Sequence, residues 1–138
     1  MLGYLAAGPA AGERALIEMM ATRTQEMLSP DEFSVSSDGK TIVVRGVGGF
    51  LGKTNFLMPM FIWRAPLPLT QRLDMLCRSH GKRLQEFLSG ARGEAWPAEG
   101  ADLHISITGE AISMWWGGPN EDEAVLRMRP ILREEIGV

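Results

Sequence analysis

Asp102-Leu103-His104-Ile105-Ser106-Ile107-Thr108-Gly109-Glu110-Ala111-Ile112-Ser113-Met114-Trp115-Trp116 is the stretch on which the reading of the fold turns. Apolar and polar residues alternate on both sides of Gly109-Glu110, the period of an antiparallel strand with one buried face. Glycine at the first turn position suits a type II′ hairpin turn, and a two-residue loop fixes the register. Thr108 then faces Ala111, so Ile107 meets Ile112, Ile105 meets Met114 and Leu103 meets Trp116 on the core side. Ser106 beside Ser113 and His104 beside Trp115 fall on the other face.

A second hairpin is expected upstream, where Phe33 to Ser36 and Thr41 to Val44 flank Asp38-Gly39, a pair suited to the type I′ turn. Its register sets Ser37 against Lys40, Val35 against Ile42, Phe33 against Val44 and Glu32 against Arg45. Gly46 to Gly52 reads as a loop, and Asn55 to Trp63 as a third strand that Pro59 confines to an edge or a bulge. Helical periodicity marks Gly12 to Leu28, with Pro30 setting its end. It marks a second helix from Leu69, where Leu73, Leu76, Cys77, His80, Leu84, Phe87 and Leu88 share a face and Thr70 stands at the cap, ending at Ser89-Gly90. Asn120 with Glu123 three residues on resembles a capping box, so a third helix is expected there, broken at Pro130 before a last turn to Ile136. The order α-β-β-β-α-β-β-α defines an α+β fold, a single domain over residues 1–138, with one mainly antiparallel sheet and helices packed on its buried face.

A chain of 138 residues with 45% hydrophobic and 22% charged residues sustains a core without staples. The formal charge of −3 offers no basic field, so nucleic acid is not expected as a partner. The one cysteine, Cys77, has no internal disulfide partner, which points to a reducing, cytoplasmic setting. Met1 to Ala11 lacks the basic start of a signal peptide, and the apolar run from Phe50 to Leu69 carries Lys53, Arg64 and three prolines, so no membrane span is expected.

Residues that suggest chemistry each have a plainer reading. Gly52-Lys53-Thr54 resembles the tail of a phosphate-binding loop, but Val47 stands where that motif needs glycine and a strand follows where it needs a helix. An anion held by the loop from Gly46 to Lys53 is therefore a weak reading. Cys77 and His80, at i and i+3, share an apolar helix face with no third or fourth metal ligand and no orienting acid. Asp102, His104, Ser106 and Ser113 are what a half-solvated strand displays, with no strained nucleophile turn. No catalytic residue, metal or cofactor is expected.

Nine methionines and four tryptophans remain, with Met58, Met60, Phe61 and Trp63 on one strand and Trp115-Trp116 on both faces of another. Adjacent strand tryptophans cannot share a face, so Trp115 is expected uncovered on the sheet's outer side and Trp116 in the core. The order of elements resembles that of small acidic secretion chaperones, an analogy of fold that does not fix function. The chain is accordingly expected to be a non-catalytic, chaperone- or adaptor-like protein-interaction domain, a homodimer holding a partner segment at a sheet edge or helix face. Met58, Trp63, His104 and Trp115 are its expected binding residues. The alternative is a small-molecule or enzymatic pocket between sheet and helices, lined by His104, His80 and Cys77.

Overall fold

Leu16, Ile17, Met20, Ala21 and Thr24 recur at helical spacing and form the buried face of α1, Ala11–Met27. The computed structural model describes residues 11–57 and 67–138. Past α1 the chain reverses at Ser29, whose carbonyl accepts the N–H groups of Glu32 and Phe33, both at 2.9 Å. Three strands follow, β1 (Phe33–Ser37), β2 (Ile42–Gly46) and β3 (Thr54–Leu57), an antiparallel sheet in that order. The rest of the expected third strand, with Met58, Pro59 and Trp63, lies outside the described residues.

The first hairpin forms, with its register two positions from the expected one: Val35 pairs with Val44 and Ser37 with Ile42. Asp38 Oδ1 accepts the N–H groups of Lys40 at 2.9 Å and Thr41 at 2.8 Å, closing a four-residue loop instead of a two-residue turn. These amides hold the Asp38 carboxyl below its ordinary range. Because the shift is even, every side chain keeps its expected face. Gly39 has a positive φ, 85°, in this loop.

The second helix, α2 (Leu69–Arg92), buries the expected stripe, with Phe87 half-buried at its margin. It runs past Gly90 to Gly93, left-handed at φ 71°, whose N–H donates to the Ser89 carbonyl at 3.0 Å. Pro68 holds the N-cap position in place of Thr70.

β4 (Asp102–Ile107) and β5 (Ala111–Gly117) pair as read, from Leu103 with Trp116 through His104 with Trp115 to Ile107 with Ile112. Their turn is built differently. Gly109 has no positive φ, and the Thr108 hydroxyl accepts the N–H groups of Glu110 at 3.2 Å and Ala111 at 3.1 Å, so a threonine side chain closes the hairpin.

The third helix is the main correction. Asn120 and Glu123 do form a capping box, but it caps only the 3-10 turn Glu121–Glu123. The chain then extends as β6 (Ala124–Leu132) along β5, which makes a second three-stranded sheet, β4-β5-β6. Pro130 breaks no helix. It sits in a bulge, since Met114 pairs with Met128 and Ile112 with Ile131, leaving Arg129 and Pro130 opposite Ser113 alone. What remains of the expected helix is one turn, α3 (Arg133–Ile136). The α+β class and the expected order hold, with β6 inserted before α3 and two sheets where one was expected.

One buried cluster joins both sheets: Leu16, Ile17 and Met20 of α1, Leu73 to Leu88 of α2, Phe33, Ile42 and Val44 of the first sheet, and Ile112, Met114, Trp116 and Met128 of the second. α1 packs on β1 and β6, and α2 on β3 and β4. Trp96, in the segment between α2 and β4, is buried, its ring centroid 5.3 Å from that of Trp116 in an edge-to-face contact.

Gly46 is where β2 admits the glycine-rich loop. A β-carbon there would overlap the Phe50 carbonyl, whose carbon is 2.6 Å away, whereas one on Gly49 would meet nothing. Phe50 thereby reaches Phe33, ring centroids 4.9 Å apart. Gly46→Ala should lower unfolding free energy by about 3 kcal/mol, the upper range of overpacking, because backbone cannot swing aside. Gly49→Ala should leave it within about 0.5 kcal/mol. Equal denaturation midpoints for the two variants would contradict this account.

Candidate functional site

Trp115 is not the uncovered indole that alternation suggested. It is 5% exposed, although it lies on the predicted outer face and in the predicted register. The unforeseen β6 makes β5 the central strand, with Arg127 as Trp115's partner on one side. On the other side the His104 ring stacks on it at 5.6 Å. The turn after β5 supplies the Gly118 carbonyl, which accepts the indole N–H at 2.9 Å. His104 Nε2 is 3.2 Å from the Gly117 carbonyl oxygen. Trp115 is thus covered within its own chain and is not an exposed anchor.

Cys77 and His80 are buried on the inner face of α2. Desolvation pushes the Cys77 thiol up to about 12, the wrong direction for a nucleophile. His80 Nε2 is 2.8 Å from the Thr24 hydroxyl, and its Nδ1 is buried without a partner. Burial pushes the imidazole down to about 4, so the ring is neutral. α2 lies so close on the inner face of the second sheet that a β-carbon on Gly81 would meet Leu103 at 2.7 Å and Met114 at 2.9 Å. His104 is on the outer face of that same sheet. The pocket of His104, His80 and Cys77 is therefore not assembled.

The loop from Gly46 to Lys53 spends five of its amides within the fold. Val47 N–H donates to Glu32 at 2.8 Å, Gly46 to Lys53 at 2.6 Å, and Phe50, Leu51 and Lys53 to carbonyls of the loop itself at 3.1 Å. A phosphate cradle needs such amides to converge outward. The Arg92 guanidinium lies over the Phe50 ring at 5.6 Å and pairs with Glu32 at 3.0 Å. This loop is packing, with Leu51 exposed at its tip.

A different place is open. The polar flank of α1 and strand β1 enclose a groove of about 570 Å³, lined by Glu18, Ala21, Thr22, Gln25, Glu26, Pro30, Val35, Ser36 and Ser37. The hydrogen-bond phase of β1 decides what faces it. Val47 N–H donates to the Glu32 carbonyl and Asp38 N–H to that of Thr41, so residues 32, 34, 36 and 38 bond toward β2. Phe33, Val35 and Ser37 then aim both N–H and C=O at the free edge. Gln25 occupies part of that edge: its amide donates to the Phe33 carbonyl at 3.0 Å and its Oε1 accepts the Val35 N–H at 2.8 Å. The Val35 carbonyl and both backbone groups of Ser37 lie beyond its reach.

Nothing in the sequence pointed to this groove. Glu18, Thr22, Gln25 and Glu26 recur at i, i+4, i+7 and i+8, which reads as a solvated helix face. Only the placement of α1 beside the sheet edge turns it into a wall. Met58 and Trp63, the other two expected binding residues, lie outside the described residues.

Comparison with protein-family models, with curated proteins and with solved structures returns no match.

Neutral His80 makes stability sensitive to acid. Its folded pKa of about 4 is below the ordinary 6.5, so the contribution is complete above pH 6.5 and is lost as pH falls toward 4. Between pH 7 and pH 5 the loss should be about 2 kcal/mol. Urea unfolding at the two pH values should show that loss in the wild type and little of it in His80→Gln. An equal loss in both proteins would assign it to other groups.

Proposed function

We propose that the chain is a non-catalytic protein-interaction domain that holds an extended partner segment as an added strand beside β1. The observation that carries this reading is the phase of the β1 edge. Unpaired strand edges are templates for another chain, and proteins generally cover or charge them. Here Gln25 satisfies the Phe33 carbonyl and the Val35 N–H and leaves the Val35 carbonyl and the Ser37 amide at a groove with a helical wall. An edge strand beside a helix is the arrangement used by domains that bind peptides by strand addition, where backbone bonds supply affinity and the wall selects side chains.

Among the described residues the large exposed hydrophobics are scattered: Val47 and Leu51 sit in the glycine-rich loop, Met75 on α2, Val125 and Leu132 at opposite ends of β6. Among the described residues no helix is long and apolar enough to cross a membrane. The single cysteine, buried in the core, fits the cytoplasmic setting of this reading.

A capped hexapeptide alternating lysine or threonine with valine is a suitable probe, followed by shifts of the protein's backbone amides. Val35 to Ser37 and Thr22 to Glu26 should move. Ser37→Pro removes the edge-facing N–H without touching the β2 ladder, so it should weaken binding at least tenfold with stability changed by about 1 kcal/mol or less. Ser37→Ala should bind as the wild type does. Shifts confined to another surface, or full binding by the proline variant, would overturn the proposal.

A further inference from the structure

We infer that the segment held at the β1 edge is cationic, and that Glu18 selects it by pairing with a lysine or arginine of the segment; this rests on the strand-addition reading above. The groove has two charged lining residues, Glu18 and Glu26, and both are acidic. Glu26 is already engaged, since its two oxygens accept from Arg129 Nε at 3.0 Å and Nη2 at 2.8 Å. The Glu18 side chain is exposed and makes no hydrogen bond or ion pair among the described residues. Its Oε1 stands 3.2 Å from where a β-carbon of Gly39 would be, so it overhangs the turn that closes β1.

That position faces the end of the edge where Val35 and Ser37 present their open backbone groups. The other charges there are Arg14, whose Nη2 is also 3.2 Å from the same point, Lys40 one residue past the turn, and Asp38. The Asp38 carboxylate is turned inward onto the amides of Lys40 and Thr41. Arg14 and Lys40 line no part of the groove. Glu18 is therefore the one lining charge without a partner.

An added strand lies roughly 4.8 Å from β1, and its side chains alternate between the groove and solvent. Those turned into the groove meet Val35 and the nearly buried Ala21 at the floor and Glu18 at the rim. Such a surface suits a small apolar residue next to a long side chain whose stem lies along the wall and whose charge reaches the rim.

The test compares the hexapeptide above with a twin in which glutamate replaces each lysine, titrated into wild type and Glu18→Gln at low and high salt. The lysine peptide should bind the wild type about threefold more tightly, as for an exposed ion pair, and the preference should shrink with salt. Glu18→Gln, with an unchanged thermal midpoint, should bind both peptides alike. Equal binding of the two peptides by the wild type, or a preference that survives Glu18→Gln, would overturn the role of Glu18 while leaving strand addition in place. Absence of any shift at Val35 to Ser37 with either peptide would bring down both.

Discussion

Thr24 and His80, 2.8 Å apart in the seam between α1 and α2, set the geometry on which the rest of the molecule depends. Both side chains are buried, and a polar group removed from water without a partner costs several kcal/mol. The bond therefore ties α1 to α2 at this point and penalises sliding of one past the other. Each helix in turn touches both sheets, α1 through β1 and β6, α2 through β3 and β4. A tie between the helices thus bears on the placement of both sheets. Arg23, next to Thr24, ties α1 to α3 in turn, its nearly buried guanidinium 3.0 Å from Glu135.

With α1 so placed, its opposite flank has to run beside β1, and the edge of that strand must be satisfied or left open. Gln25 does the first for two residues, acting as a short stand-in for a strand because a carboxamide presents a donor and an acceptor as a peptide group does. It cannot reach further. Past Val35 the groove continues along Ser36 and Ser37, where the backbone groups of Ser37 emerge. Glutamine at this position thus both protects the sheet and sets the length of edge that stays free.

How much of this was legible depended on the range of the forces involved. The β4–β5 hairpin could be read to the residue because alternation on both sides and a short turn act locally. The first hairpin missed by two because the Asp38 carboxylate competes for the amides of its own turn, which a choice by turn residues alone does not weigh. β6 was misread because Asn120 and Glu123 carry a true helix-start signal that serves only one 3-10 turn. The alternation of Leu126 and Met128 with Arg127 and Arg129 was present beside it and was outweighed by the cap. Trp115 followed from that error: its face was right, and its cover came from a strand not foreseen. The groove had no local signal, since Glu18 and Ser37 are far apart in sequence and polar, and only the packing of α1 on the sheet brings them together.

Edges elsewhere show why an opening at β1 carries meaning. β6 is an edge strand too, but it has a bulge at Pro130, and Arg127 and Arg129 stand exposed along it, features that blunt pairing with another chain. β1 has no proline and no charged side chain between Phe33 and Ser37, and its guard is a neutral carboxamide. Backbone pairing at such an edge is indifferent to sequence, so it would accept any extended chain unless something beside it discriminated. A charge on the rim does this at small cost: it attracts one sign and repels the other without being buried, and it leaves the backbone bonds to supply the affinity. Glu18 stands where that discrimination is needed, at the open end of the edge and outside the reach of Arg129.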